Sequence, residues 1–362
     1  MLSEKKLHVD PDITRASTLP SSVYSDPEIY HRALERVFVP SWQVIEVDLL
    51  DGQFNVFPFK LLAGSLDEPL VLVREDEDWN CFSNVCTHRG NIVTTRAGHY
   101  ANLVCGYHGK CFDLKGRFKS MPAFESAKDF PSDRDHLAQL PLESLGPFKF
   151  TSIAPRYTFK ATLQPMLDRM SWFAFDKLIY EPSLSTRYVV DVHWALYCEN
   201  YLEGFHIPFV HEQLNRSLKF SEYETFIYPY CNLQLGVARE SEPYFDIPTG
   251  HEDAGRKILA YYWWLFPNTM LNIYTWGISL NIVKPLGNGQ TEILFKTYLL
   301  PETKKSSNIS ATLDQTEMED EAIVKNVQIG VKSRFYKQGR FSPTMEKGVH
   351  HFQQLYSHFL TT

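Results

Sequence analysis

Two short segments constrain this chain more than anything else in its 362 residues: Cys86-Thr-His88-Arg-Gly90 and, with sixteen residues between His88 and Cys105, Cys105-Gly-Tyr-His108-Gly109. Two thiolates and two imidazoles complete a ligand set, so any fold around them must bring two loops to one metal centre. Zinc is one reading, since two Cys and two His are a common tetrahedral set. Zinc sites of this kind, however, usually group a Cys pair and a His pair. Here each loop carries one of each, which a [2Fe–2S] centre needs if one iron takes both thiolates and the other both imidazoles. The remaining cysteines, at 81, 111, 198 and 231, are too scattered for a disulfide scaffold. Cys111 lies near His108 but off the ligand spacing and reads as a small buried hydrophobe.

Charge and composition exclude several classes. Lys plus Arg number 36 against 43 Asp plus Glu, a net charge of −7, the wrong sign for a chain whose main partner is nucleic acid. At 44% hydrophobic and 22% charged residues the chain buries a core and is not intrinsically disordered. The first residues, MLSEKKLHVD, lack the apolar run of a secretory signal, so a cytoplasmic address is expected. Ile258 to Val283 holds no charged residue, yet Pro267, Asn268, Asn272 and Asn281 interrupt it. Its aromatic content favours strands joined by a turn at Pro267-Asn268 over a membrane helix.

The order of elements reads as α+β. Ser25-Asp26-Pro27 supplies a helix start, and from Trp42 to Pro147 short strand-like runs alternate with Gly and Asp clusters. A long strand is expected over Thr186 to Cys198, a helix-like motif over Glu199 to His211, strands between Ser221 and Leu300, and a last helix from Leu313 towards Arg334. The expected divisions are an N-terminal segment at 1–41, a small β domain at 42–147 and a larger domain at 148–362.

A second constellation follows the long strand: Glu199-Asn200-Tyr201-Leu-Glu203-Gly-Phe205-His206-Ile-Pro208-Phe209-Val-His211. Histidines five apart cannot share one helical face, and Pro208 between them supplies a break, so both imidazoles can converge from a helix end and the loop beyond it. Two His and a distant carboxylate form the facial triad of non-haem Fe(II). Asp320, Ile323, Val324, Val327 and Val331 recur at helical spacing, which puts Asp320 on a buried stripe where an ionised carboxylate needs a partner or a metal. Glu317 shares that face and competes; Glu319 and Glu321 read as solvated.

Together these motifs resemble the alpha, or terminal oxygenase, subunits of Rieske non-haem iron oxygenases. Val327-Gln328-Ile-Gly330 and Gly339-Arg-Phe-Ser342-Pro343 with Glu346 extend the likeness over nearly the whole chain. One departure is Lys110-Cys111-Phe112, where an aromatic residue often follows His-Gly. The resemblance implies an all-β Rieske domain and a helix-grip catalytic domain whose curved antiparallel sheet wraps a helix. It also implies a Rieske [2Fe–2S] cluster on Cys86, His88, Cys105 and His108, a mononuclear Fe(II) on His206, His211 and Asp320, and O₂ as co-substrate. Asn200 and Glu203 become catalytic candidates, Glu203 as a carboxylate linking an iron ligand to a neighbouring subunit's cluster ligand in a homotrimer. Glu at that position, where ring-hydroxylating dioxygenases usually carry Asp, resembles the carnitine and choline monooxygenase branch.

That branch implies hydroxylation or N-demethylation of a methylated amine or quaternary ammonium compound, with an aromatic acid as the alternative substrate. Phe205, Tyr262, Trp264, Tyr274 and Trp276 are candidate pocket residues, able to hold a cation by cation–π attraction. No flavin or nicotinamide fingerprint is evident, so NAD(P)H is expected to act through a separate reductase or ferredoxin. Two readings of other classes stand beside this one: a Rieske electron carrier without a second iron, and a ligand-binding helix-grip module with a structural zinc.

Overall fold

The uncharged run from Ile258 to Val283 lies inside a sheet that is buried on both faces, which explains why polar and apolar residues fail to alternate along it. The computed structural model describes residues 7–46, 54–76, 78–240, 242–303 and 307–362, and divides into two compact units. One comprises Met1–Ser41, Leu145–Pro147 and Pro155–Thr362; the other comprises Trp42–Ser144 and Phe148–Ala154.

In the larger unit, strands Ile179–Tyr180, Gln290–Leu299, Gly277–Gly287, Thr269–Tyr274, Ile258–Leu265, Cys231–Val237 and Glu224–Ile227 lie side by side in that order. Thr186–Val190 pairs with Gln290–Leu299 as well, and every ladder is antiparallel. Among the described residues, the α-helices of this unit are α1 (Pro27–Ala33), α2 (Phe159–Arg169), α3 (Trp194–Tyr201), α4 (Ile207–Val210), α5 (Glu212–Ser217), α6 (Ser307–Val331) and α7 (Lys347–Thr361). Asp26 caps α1, accepting the Glu28 amide with Pro27 in the first turn, as the Ser-Asp-Pro signal implies. Among the described residues, no helix is long and apolar enough to cross a membrane.

Three elements differ from their sequence expectation. The strand from Thr186 stops at Val190 instead of reaching Cys198, and α3 begins at Trp194 with the His193 ring accepting the Ala195 amide. Trp194, Ala195, Leu196, Tyr197 and Cys198 are all buried, so the first turn and a half of the helix shows no polar face and mimics a strand run. Helix α6 starts at Ser307 and ends at Val331, short of Arg334. Helix α7 was not anticipated, although Val349, Phe352, Tyr356, Phe359 and Leu360 bury one face at helical spacing.

The smaller unit is all β. Val56–Leu61, Glu68–Glu75, Asp78–Ser83 and Gln139–Leu140 form a four-stranded sheet, and Leu103–Val104, Cys111–Phe112 and Phe118–Ser120 a three-stranded one. Between them Val56, Val71, Val73, Phe82, Leu103 and Phe112 share a core with Cys86 and Cys105.

A buried ion pair fastens the far side of the larger sheet. Arg169, at the end of α2, donates Nε to Asp253 Oδ2 at 2.9 Å and Nη2 to Oδ1 at 2.7 Å, and Tyr261 donates its hydroxyl to the same carboxylate at 3.1 Å. Both charges are almost wholly buried, and without Asp253 the Arg169 guanidinium keeps only the more exposed Glu252, at 3.3 Å, as an ion-pair partner. Asp253→Ala is expected to lower the unfolding free energy by about 3–5 kcal/mol in urea titrations. A loss below about 1 kcal/mol would place the pair with exposed ones.

Candidate metal centres

Each cysteine–histidine loop of the smaller unit is closed the same way. Gly90 donates its amide to Cys86 O at 3.0 Å, and Gly109 donates to Cys105 O at 3.0 Å. Both glycines have positive φ, 68° and 75°, a conformation that a side chain would strain. The second loop also returns the Cys105 amide to Lys110 O at 2.9 Å, as the first returns the Cys86 amide to Asn91 O at 2.8 Å. Both thiols end up buried and in contact with one another, while His88 Nδ1 and His108 Nδ1 lie 3.2 Å apart towards the surface. Asn91 Nδ2 donates to Cys105 Sγ at 3.4 Å.

Thiols paired with thiols and imidazoles with imidazoles suit two metals better than one. A single tetrahedral zinc would draw all four donors around one point. Among the described residues, the set whose donors gather within 4.8 Å of one another is instead His206, His211 and Asp320. Cys111 is half-buried on the Cys111–Phe112 strand, outside the ligand set.

That second set is built where α3 runs out. Leu202 donates its amide to Cys198 O and Glu199 O to end the helix, and His206 then leads into the single turn of α4, with His211 between α4 and α5. Pro208 sits inside the first turn of α4, where proline is tolerated, so the break that lets the imidazoles converge falls at His211 itself, at φ −108° and ψ 82°. His206 Nε2 and His211 Nε2 approach to 3.0 Å, and Asp320 Oδ1 stands 3.0 Å from the second and 3.4 Å from the first.

The far nitrogens explain the orientation. His206 Nδ1 faces Glu203 Oε1 at 2.7 Å, while Glu203 Oε2 accepts the His206 amide at 3.0 Å. His211 Nδ1 faces Glu319 Oε2 at 2.7 Å. With each Nδ1 facing a carboxylate, the two Nε2 atoms and the Asp320 oxygen all point at one spot, an arrangement that fits a cation there once His206 has given up its proton. Asn200 Nδ2 donates to Asp320 Oδ1 at 2.6 Å. Burial alone would raise the Asp320 pKa, but hydrogen bonds from His206 and His211 outweigh it and hold the carboxyl at about 2. For His206 burial works downward, and the partnership of Asp320 and Glu203 outweighs it, lifting the imidazole to about 9.

Two sequence expectations on α6 need correction. Glu319 is not solvated, since it holds His211, and Val327 is 42% exposed rather than part of the inner stripe. The stripe instead runs Asp320, Val324, Gln328, Val331, with Gln328 Oε1 accepting the His193 amide at 2.6 Å. Glu317 accepts the Tyr197 hydroxyl at 2.5 Å and lies outside the three-donor set.

These residues form part of the wall of a cavity of about 650 Å³. Tyr262, Tyr274 and Trp276 line it, with Tyr274 and Trp276 stacked at 5.0 Å and Tyr262 edge-on to Tyr274 at 6.0 Å. Trp264, expected beside them, does not: it shares their sheet face but lies deeper, packed on Phe266 and, from α7, on His351 and Phe352. Phe205 turns outward and is likewise absent from the wall. Tyr201, Tyr223 and Glu242 line the cavity without having been anticipated: Tyr201 ends α3, Tyr223 and Glu242 lie on the connections before Glu224–Ile227 and after Cys231–Val237, and none carries a local pattern.

Residues 178–362 match the family described as ring hydroxylating alpha subunit (catalytic domain), and residues 55–131 match the Rieske [2Fe–2S] domain. The chain belongs to the Rieske non-haem iron oxygenases, as an alpha subunit. The oxygenase is 30% identical to the chloroplastic choline monooxygenase of Arabidopsis thaliana over 99% of this chain and 87% of that protein. It is 29% identical to the carnitine monooxygenase oxygenase subunit of Escherichia coli K12, covering 94% of this chain and 93% of that one. Its fold resembles that of the quaternary ammonium Rieske monooxygenase CntA, with a TM-score of 0.78 at 22% identity over 99% and 98% of the two chains. Naphthalene 1,2-dioxygenase shares the fold at a TM-score of 0.71 and 15% identity, over 100% of this chain and 96% of that one.

A Rieske cluster, a mononuclear iron and O₂ are therefore the cofactors and co-substrate of this oxygenase. Asp320→Ala is expected to lower iron from about three to about two per chain while leaving the reduced cluster's EPR signal in place. Loss of the cluster signal instead would separate Asp320 from the mononuclear site.

Proposed function

We propose that this chain is the terminal component of a monooxygenase acting on a methylated amine or quaternary ammonium compound. Cys86, His88, Cys105 and His108 hold the cluster in this reading, and His206, His211 and Asp320 hold the iron. The observation that carries it is a single cavity with the three converging donors, Tyr262, Tyr274 and Trp276, and the carboxylates Glu242 and Glu317 all in its wall. Aromatic faces and carboxylates attract a desolvated cation and disfavour an aromatic acid. The kinship with choline and carnitine monooxygenases supports the same substrate class.

When bound, the iron activates O₂ with electrons passed on by the cluster. The chain's own residues prepare for that chemistry. Glu203 and Glu319 lock the tautomers and ring planes of His206 and His211, and Asn200 occupies one lone pair of the Asp320 oxygen. Rings that surround the ammonium head exclude water and present its C–H bonds to the reacting centre. Insertion of one oxygen atom into C–H consumes two electrons and two protons and releases one water. Where the new hydroxyl sits on an N-methyl carbon, the C–N bond then breaks to aldehyde and demethylated amine.

The electrons come from a separate NAD(P)H-dependent reductase, directly or through a ferredoxin, and the working form is a homotrimer in which Glu203 links each iron site to a neighbour's cluster. Two features support the assembly: the exposed surface at Phe205 and Phe209 beside His206, and the inter-subunit electron transfer described for CntA. A cytoplasmic address belongs to the same reading and rests on six cysteines that form no disulfide.

Oxygen uptake with a surrogate reductase, with product identification, tests the substrate class over choline, carnitine, γ-butyrobetaine and benzoate. Turnover confined to benzoate would replace this reading by ring hydroxylation. Glu203→Gln is expected to keep both metals and lose about 10- to 100-fold in turnover; full activity would remove the link.

A further inference from the structure

We infer that the substrate is a net cation with no carboxylate, choline-like rather than carnitine-like; this deepens the proposed function and rests on it. The cavity wall carries Glu203, Glu242, Glu317 and Asp320, and no lysine or arginine is among its described lining residues. Glu203 and Asp320 engage the two histidines; Glu242, and Glu317 while it accepts the Tyr197 hydroxyl at 2.5 Å, add further negative charge to the wall that the bound molecule meets. An ammonium head finds counter-charges there and ring faces at Tyr262, Tyr274 and Trp276. A carboxylate on the same small molecule would be desolvated beside like charges with no cation to meet it, the costly case of an unpaired buried ion. Neutral donors in the wall, such as Tyr201, whose hydroxyl already goes to Asn272 Oδ1 at 2.8 Å, do not offset that cost.

Calorimetric binding to the oxidised, metal-replete enzyme without reductase separates the charge types. Choline and tetramethylammonium are expected to bind at least about tenfold more tightly than carnitine or γ-butyrobetaine. The ratio of choline to carnitine affinity should narrow in Glu242→Gln or Glu317→Gln. Equal or tighter binding of the zwitterions, or a ratio unchanged in both variants, overturns the inference while leaving an ammonium substrate in place. Binding of benzoate with no ammonium compound bound overturns it together with the proposed function.

A different observation carries a second inference, in the cluster domain. Lys110 is 2% exposed, with Nζ 2.8 Å from Asp135 Oδ1 and 5.4 to 5.8 Å from the ring centres of Phe112, Phe118 and Phe130. Its carbonyl takes the Cys105 amide, and the Asp135 carbonyl takes the Thr87 hydroxyl at 3.0 Å, so this one pair ties down both ligand loops. We propose that Lys110 and Asp135 are positioning residues whose opposed charges set the cluster's reduction potential. Reduction adds negative charge, which a nearby cation favours and a nearby anion opposes. Lys110→Met is expected to shift the midpoint potential down and Asp135→Asn to shift it up, each with the cluster's EPR signal retained. Shifts of the same sign, or none in either protein, overturn the assignment, because a purely structural latch would not respond to the sign of the charge removed.

Discussion

A carboxylate on the inner stripe of a helix needs compensation, and much of the catalytic unit is arranged to supply it at Asp320. Its oxygen receives Asn200 from α3 and stands against His206 and His211 on either side of α4. Each imidazole is in turn held from behind by a glutamate. The result is a run of partners, carboxylate to imidazole to carboxylate, that closes on the point the three donors share. Packing alone would not select this: α3, α6 and the loop after α3 could bury more apolar surface with other side chains. The arrangement makes sense as a cage that is stable when a divalent ion joins it.

The cluster domain solves a different problem. Its ligands sit on two loops at the edges of small sheets, where backbone is least constrained by ladders. Identical closures at Gly90 and Gly109 give both loops one shape, the shared core through Cys86 and Cys105 anchors their inner ends, and Lys110 with Asp135 fastens their flanks. The buried thiols and outward imidazoles then give the centre an inner and an outer side, and the outer side is the one a partner can reach.

How much of this was legible in the sequence depended on range. Cys-x-His, Cys-x-x-His and the His206, His211 pair are local patterns, so donor types could be read directly, and the spacing of α6 directed attention to Asp320. Glu319 was misread because one residue's difference in helical phase was judged against a stripe through Val327, whereas the helix turns Gln328 inward to hold the His193 amide. The start of α3 was missed because a first turn buried all round loses the period that marks a helix. Trp264 and Tyr262 have the same strand phase, and phase says which face a side chain takes but not how far along that face the cavity ends.

By itself, then, the sequence determined the chemistry available: two thiolates and two imidazoles in one domain, two imidazoles and a carboxylate in the other, and a long uncharged aromatic run, because these follow from residue types and spacings along one chain. Only the tertiary structure decided which carboxylates hold the imidazoles, which rings face the cavity and that its described wall holds no lysine or arginine. Those outcomes depend on groups more than a hundred residues apart, such as His211 and Glu319, whose meeting is set by how helices and sheet pack and leaves no mark in the sequence near either one.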